Sequence, residues 1–183
     1  AQTHPQAFLP DLAASLTNLG SDLSNLGRRA EALKATQEAV DIRRKLVQDN
    51  PQAFLPDLAA SLTNLGRALS ALGRHEEALA ATQEAVERYR HLAQTHPQAV
   101  LPDLARSLGA YGSVLQGMGR HREAAHAFAE GLRAILPFVQ ALPAAFGELA
   151  AALLEEYLAA CQEAGEKPNK KLVEEVRRSL GMR

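Results

Sequence analysis

The chain has 183 residues, 46% of them hydrophobic but only 4% aromatic, with no tryptophan. Its 20 Lys and Arg offset 21 Asp and Glu, and neither sign gathers into a long run, which excludes an electrostatic footprint for nucleic acid or an anionic membrane surface. No stretch has the roughly 20 uninterrupted apolar residues of a membrane-spanning helix, and no charged start leads into an apolar signal core. Ala, Leu, Glu, Gln and Arg lose little on entering a helix, so their dominance predicts helices rather than sheets. The lone cysteine, Cys161, cannot form an internal disulfide and reads as a small buried residue, compatible with a reducing, cytoplasmic setting.

The text repeats. Residues 50–95 rewrite 4–49 and return, more changed, at 96–141; Pro5, Pro51 and Pro97 stand 46 apart. Self-similarity at such a period signals stacked helical units. In the first copy, Leu12, Leu16, Leu19, Leu23 and Leu26 recur every three or four residues along one helix face. Pro10 suits its first turn, Asp11 its positive end, and Gly27 ends it, as Gly73 and Gly119 do later. A second helix follows, with Ala32, Leu33, Ala35, Thr36, Ala39, Val40 and Leu46 on its apolar side, and Asn50-Pro51 stops it.

In the second copy Asn50 is placed to cap a turn starting at Pro51, and Pro56 predicts a break near Leu55 with the main helix starting at Pro56. Phe8 and Phe54 are expected to plug the helix junctions. Beyond Pro137 the repeat decays: residues 144–164 read as a first helix of a fourth copy, Gly165 to Asn169 as a turn, and 170–180 as a charged closing helix. The expected organisation is three repeats in 1–141 (4–49, 50–95, 96–141) and a degenerate fourth repeat with its cap in 142–183. Because residues 1–7 match Ala93–Ala99, the first helix is expected to have lost a preceding neighbour, leaving Leu12, Ala13, Leu16 and Leu23 partly uncovered for weak self-association.

Leu16, Leu19, Gly20, Leu23, Gly27, Ala32 and Ala39, with Leu62, Leu65, Gly66, Leu69, Gly73, Ala78 and Ala85, fall at the spacing of a known helical repeat. So do Leu108, Tyr111, Gly112, Leu115, Gly119 and Ala124 in the third copy, which departs at Gly131 and carries Ala110 where the others have Asn. The pattern resembles the tetratricopeptide (TPR) repeat, in a long-period form similar to kinesin light chain-type and bacterial arrays. The resemblance implies an all-α, right-handed solenoid of antiparallel helix pairs. Gly20 and Gly66 lie inside helices, where glycine costs about 1 kcal/mol against alanine; close approach of the paired helix through Ala32 and Ala78 is the expected compensation.

The resemblance also implies a concave groove lined by first helices and binding a peptide or a partner helix. Its positions here are Thr17, Asn18, Ser21 and Asn25; then Thr63, Asn64, Arg67 and Ser70; then Arg106, Ser113 and Gln116. Asn18 and Asn64 are suited to peptide backbone, because an amide both donates and accepts. The six histidines lack the i, i+4 spacing of a helical metal pair, and no phosphate loop or nucleophile elbow occurs, so no metal, cofactor or catalytic constellation is expected. The reading is a non-enzymatic protein-interaction scaffold within a larger, bacterial multidomain protein, with a structural or self-assembling module as the alternative.

Overall fold

The computed structural model describes residues 8–182, so His4 and Pro5 lie outside the described residues. Among these, every regular element is a helix: α1 Leu9–Asn25, α2 Arg29–Asp49, α3 Pro51–Ser70, α4 His75–Thr95, α5 Pro97–Gly117, α6 His121–Ala141, α7 Pro143–Ala164 and α8 Lys170–Ser179. The chain divides into two compact units, Ala1–Arg88 and Tyr89–Arg183. In the first, α2 packs against both α1 and α3, and α1 touches α3; in the second, α6 packs against both α5 and α7, and α8 lies on α6 and α7.

The turns between paired helices share one construction. Gly27, Gly73 and Gly119 have φ of 73°, 74° and 73°, a left-handed conformation that a side chain disfavours. Each glycine N–H returns to the carbonyl four places before the following arginine (Ser24, Ser70, Gln116), and that arginine N–H reaches Leu23, Leu69 or Leu115 at 2.8–3.0 Å. The orphan carbonyls of the first helix are thereby satisfied before the second begins. The same arginine then clamps the third residue of the next helix: Arg28 holds Glu31, Arg74 holds Glu77 and Arg120 holds Glu123, each through two bonds of 2.6–2.7 Å. The hydrogen bond from its arginine keeps each of these carboxyls below the usual range.

At the start of α3 the Asn50 side chain accepts from the Ala53 N–H at 3.3 Å, as expected. The expected break at Leu55 does not occur. Helix α3 runs unbroken from Pro51 with Pro56 inside it, and α5 likewise carries Pro102. The proline deprives only the Gln52 carbonyl of its helical donor, and Gln52 is exposed, so water can take that place. Burial of Leu58, Leu62 and Leu65 then holds the axis beyond it.

Helix pairs are drawn together where glycine removes a side chain. A Cβ at Gly20 would stand 2.6 Å from Thr36 Oγ1 and 3.4 Å from the Ala32 carbonyl; one at Gly66 would stand 2.2 Å from Thr82 Cγ2 and 3.3 Å from the Ala78 carbonyl. Close approach therefore accounts for both glycines, and the second helix's threonine is the nearest neighbour. Thr36 and Thr82 donate to the Ala32 and Ala78 carbonyls, which lets a hydroxyl sit buried at no cost in unpaired groups. In the third copy Phe128 replaces that threonine, and its ring fills the space left by Gly112.

One buried charge escaped the sequence reading. Arg43 of α2 donates to the Asp57 carbonyl at 2.9 Å and to the Ser61 hydroxyl of α3. Tyr89 and Ile135 occupy the same register and are also buried. More exposed pairs join second helices: Arg44 to Glu84 at 2.9 Å, and Arg90 to Glu130 at 2.6 Å.

The first helix leaves Leu12 uncovered, as expected, but covers Ala13 and Leu23. Ala13 is buried with Ile42 and Leu46, and Leu23 with Ala32 and Ala35, so both face α2; Leu16 is half-buried between them. The uncovered residues are Leu12, Leu19 and Leu26 at 45%, 48% and 71% exposure. Leu58 and Leu65, at the same register in α3, are 1% and 5% exposed. Phe54 packs as expected, against Ala13, Ile42 and Leu46. Phe8 does not plug a junction: it is 65% exposed, because no described helix precedes it to supply that surface.

At the other end, Gly165 (φ 66°) closes α7 and Asn169 caps α8 by accepting from the Leu172 N–H at 3.0 Å. Leu172, Val173 and Val176 form the buried face of α8.

Candidate binding groove

The residues expected to line a groove fall on α1, α3 and α5, and their side chains form three groups that overlap at Ser21. Ser21, Asn25, Asn64 and Arg67 converge on one cleft of about 160 Å³ in the first unit, whose remaining wall is Gly20, Ser24, Thr36 and Ala68. The convergence follows from the fold: α1 and α3 touch one another on the side where Gly20 admits Thr36 of α2. Ser24 was not singled out in the sequence, although it lies three residues after Ser21 and so on the same helix face.

A second group is turned inward on its own helix. The Thr17, Ser21, Thr63 and Ser113 hydroxyls donate to the carbonyls four residues earlier, at 2.8, 3.2, 3.0 and 3.0 Å. These hydroxyls keep lone pairs for a ligand N–H but have committed their proton. Thr63 is moreover buried, whereas Asn18 and Asn25 are exposed and Asn64 and Ser70 half-buried.

The third group lies on α5 in the second unit. Arg106 is held by Asp103 at 2.6 Å, the local acidic partner a surface arginine commonly finds. Gln116 donates to Glu163 of α7 at 3.3 Å, and its buried carbonyl oxygen has no partner. Glu163 also lies 2.7 Å from His121 Nδ1. Cys161 of α7 is buried, and burial pushes its thiol up, so it is a neutral packing group. Among the described residues no three His, Cys, Asp or Glu come together as metal ligands would.

These paired helices, joined by glycine turns and clamped by arginine, define a helical-repeat scaffold. The tetratricopeptide repeat family model matches residues 11–91, which run from α1 into α4. Its fold is similar to the crystal structure of the nearly identical TPR-like repeats of a kinesin light chain-like protein from Podosopora anserina, at 18% identity and a TM-score of 0.54, covering 97% of each chain. A variant of that protein superposes equally well, at 17% identity, covering 98% of this chain and 97% of the other. A comparison with curated proteins finds no match.

Proposed function

We propose that this chain binds an extended segment of a partner protein along the first helices, with the cleft between α1 and α3 as the principal contact. The observation that carries this reading is the convergence of Ser21, Asn25, Asn64 and Arg67 on that cleft. The TPR fold is that of a protein-interaction scaffold, and the amides of Asn25 and Asn64 can each pair with one N–H and one C=O of a peptide backbone. Asn18, Thr17 and Ser70 extend the same first-helix surface in the first unit, which the buried Thr63 does not reach, and Arg106, Ser113 and Gln116 belong to the corresponding helix of the second. On this reading the repeats are 4–49, 50–95 and 96–141, with 142–183 as a degenerate repeat and cap. They serve within a larger cytoplasmic protein and have no catalytic role.

The test is selection of peptides from a displayed random library, followed by affinity measurement on variants. Changing both Asn25 and Asn64 to Ala is expected to weaken a selected peptide about tenfold or more, since each lost hydrogen bond contributes about 0.5–1.5 kcal/mol. Unchanged affinity in a variant that melts normally would refute the cleft.

A second reading, self-association, is favoured by one observation: Leu12, Leu19 and Leu26 are uncovered where Leu58 and Leu65 are buried. Exposed apolar surface of this kind tends to find a partner. Sedimentation of the wild type should then show a concentration-dependent mass that Leu19→Glu abolishes. A monomer at every concentration would remove this reading.

A further inference from the structure

In the second unit, α6, α7 and the turn at residues 165–169 enclose a cleft of about 580 Å³ that shares no residue with the groove. Its size is within the range of ligand sites, about 300–1,000 Å³. Tyr157 and Cys161 line it from α7, and the Tyr157 hydroxyl accepts from the Asn169 N–H at 2.9 Å, tying the turn to the helix.

The charges around it are unequally engaged. Glu130 is held by Arg90 through bonds of 2.8 and 2.6 Å, and Glu166 by Arg122 at 2.5 Å. Arg133 and Lys167 also line the cleft; both are exposed, and among the described residues neither side chain makes a hydrogen bond or ion pair. The repeat register sharpens the point. The positions equivalent to Arg133 are Asp41 and Glu87, so the third copy reverses a charge that the other two keep negative.

We propose that this cleft binds an acidic peptide segment, with carboxylates seated against Arg133 and Lys167. A guanidinium presents a fork that matches a carboxylate, and the lysine supplies a second positive charge from a different element. Two cations on separate elements, α6 and the turn, suit two carboxylates carried along one chain. Glu130 and Glu166 in the same walls disfavour a more highly charged phosphate, and the polar lining disfavours an apolar ligand.

The test uses the full chain and a labelled, end-blocked peptide of alternating Glu and Ala, followed by fluorescence anisotropy. Arg133→Glu, which restores the residue type of the second copy, and Lys167→Ala are each expected to weaken binding tenfold or more with unchanged melting. If Arg133→Glu fails to fold, Arg133→Gln takes its place. Asn64→Ala should leave this affinity unchanged, which separates the cleft from the groove. Absence of peptide binding, or wild-type affinity in both cleft variants, would overturn the proposal. So would free glutamate competing as well as the peptide, which would assign the cleft to a small acid.

Discussion

Leu62 and Leu19 lie on the same kind of helix, yet truncation should treat them differently. Leu62 is fully buried, so Leu62→Ala is expected to cost about 2–5 kcal/mol by lost transfer energy and the cavity left behind. Leu19 is 48% exposed, and Leu19→Ala should change stability by about 0.5 kcal/mol or less. Urea denaturation midpoints of the two variants check both, and similar shifts would contradict the packing of α1 and α3. Gly66 tests close approach in the opposite sense. Gly66→Ala adds helix propensity worth about 1 kcal/mol, but its Cβ meets Thr82 Cγ2 at 2.2 Å beside the Ala78 carbonyl. Overpacking of about 1–3 kcal/mol should win, giving net destabilisation. Thr82→Ser removes the offending methyl and keeps the hydroxyl, so the double variant should recover much of the loss. Equal penalties in both backgrounds would show that something other than Thr82 sets the spacing.

At the scale of elements, the glycine turns and the ion pairs between second helices make separate demands. Gly73 has φ +74° and open space around it, so Gly73→Ala introduces backbone strain without a clash. A loss of about 1–2 kcal/mol is expected, read from the denaturation midpoint, with Gly73→Asn milder. Glu84 joins α2 and α4. Burial raises its carboxyl, but the bonds from Arg88 and Arg44 outweigh this and hold it below the usual value. A carboxyl lower in the folded than in the unfolded chain contributes stability that is present above its unfolded pKa, about 4.3. That contribution is lost as pH falls through the lower folded value. Melting temperature should therefore decline between about pH 5 and about pH 3, and Glu84→Gln should flatten the decline. An identical acid profile in the variant would mean the pair is not maintained in solution.

For the molecule as a whole, the groove reading predicts a dissociation between stability and binding. Asn18 is exposed and Asn64 half-buried. Changing both to Ala should leave helicity and melting nearly unchanged, as surface substitutions do, while weakening a selected peptide. Circular dichroism with a binding isotherm decides it: a variant that unfolds would make the asparagines structural. The helices were legible because periodicity, glycine and proline act locally. The cleft was legible only in part. Spacing placed Ser21, Asn25, Asn64 and Arg67 on first helices, but Ser24 and Thr36 entered with the packing of α1 on α2 and α3.

The amino-acid sequence by itself determined the repeat, its 46-residue period, the helix pairs and the turn at each glycine. Each of these rests on interactions within a few residues: apolar recurrence, a left-handed glycine, an asparagine cap, a clamp from arginine to the glutamate three places on. Tertiary structure alone decided the rest. It kept α3 whole through Pro56, because burial of the leucines beyond the proline outweighs one missing hydrogen bond. It buried Arg43 by offering the Asp57 carbonyl and the Ser61 hydroxyl from a neighbouring helix. It also turned Ala13 and Leu23 inward while leaving Leu19 and Leu26 uncovered. All five are apolar-face or charged residues whose fate depends on which helix lies opposite, and that partner comes from another part of the chain.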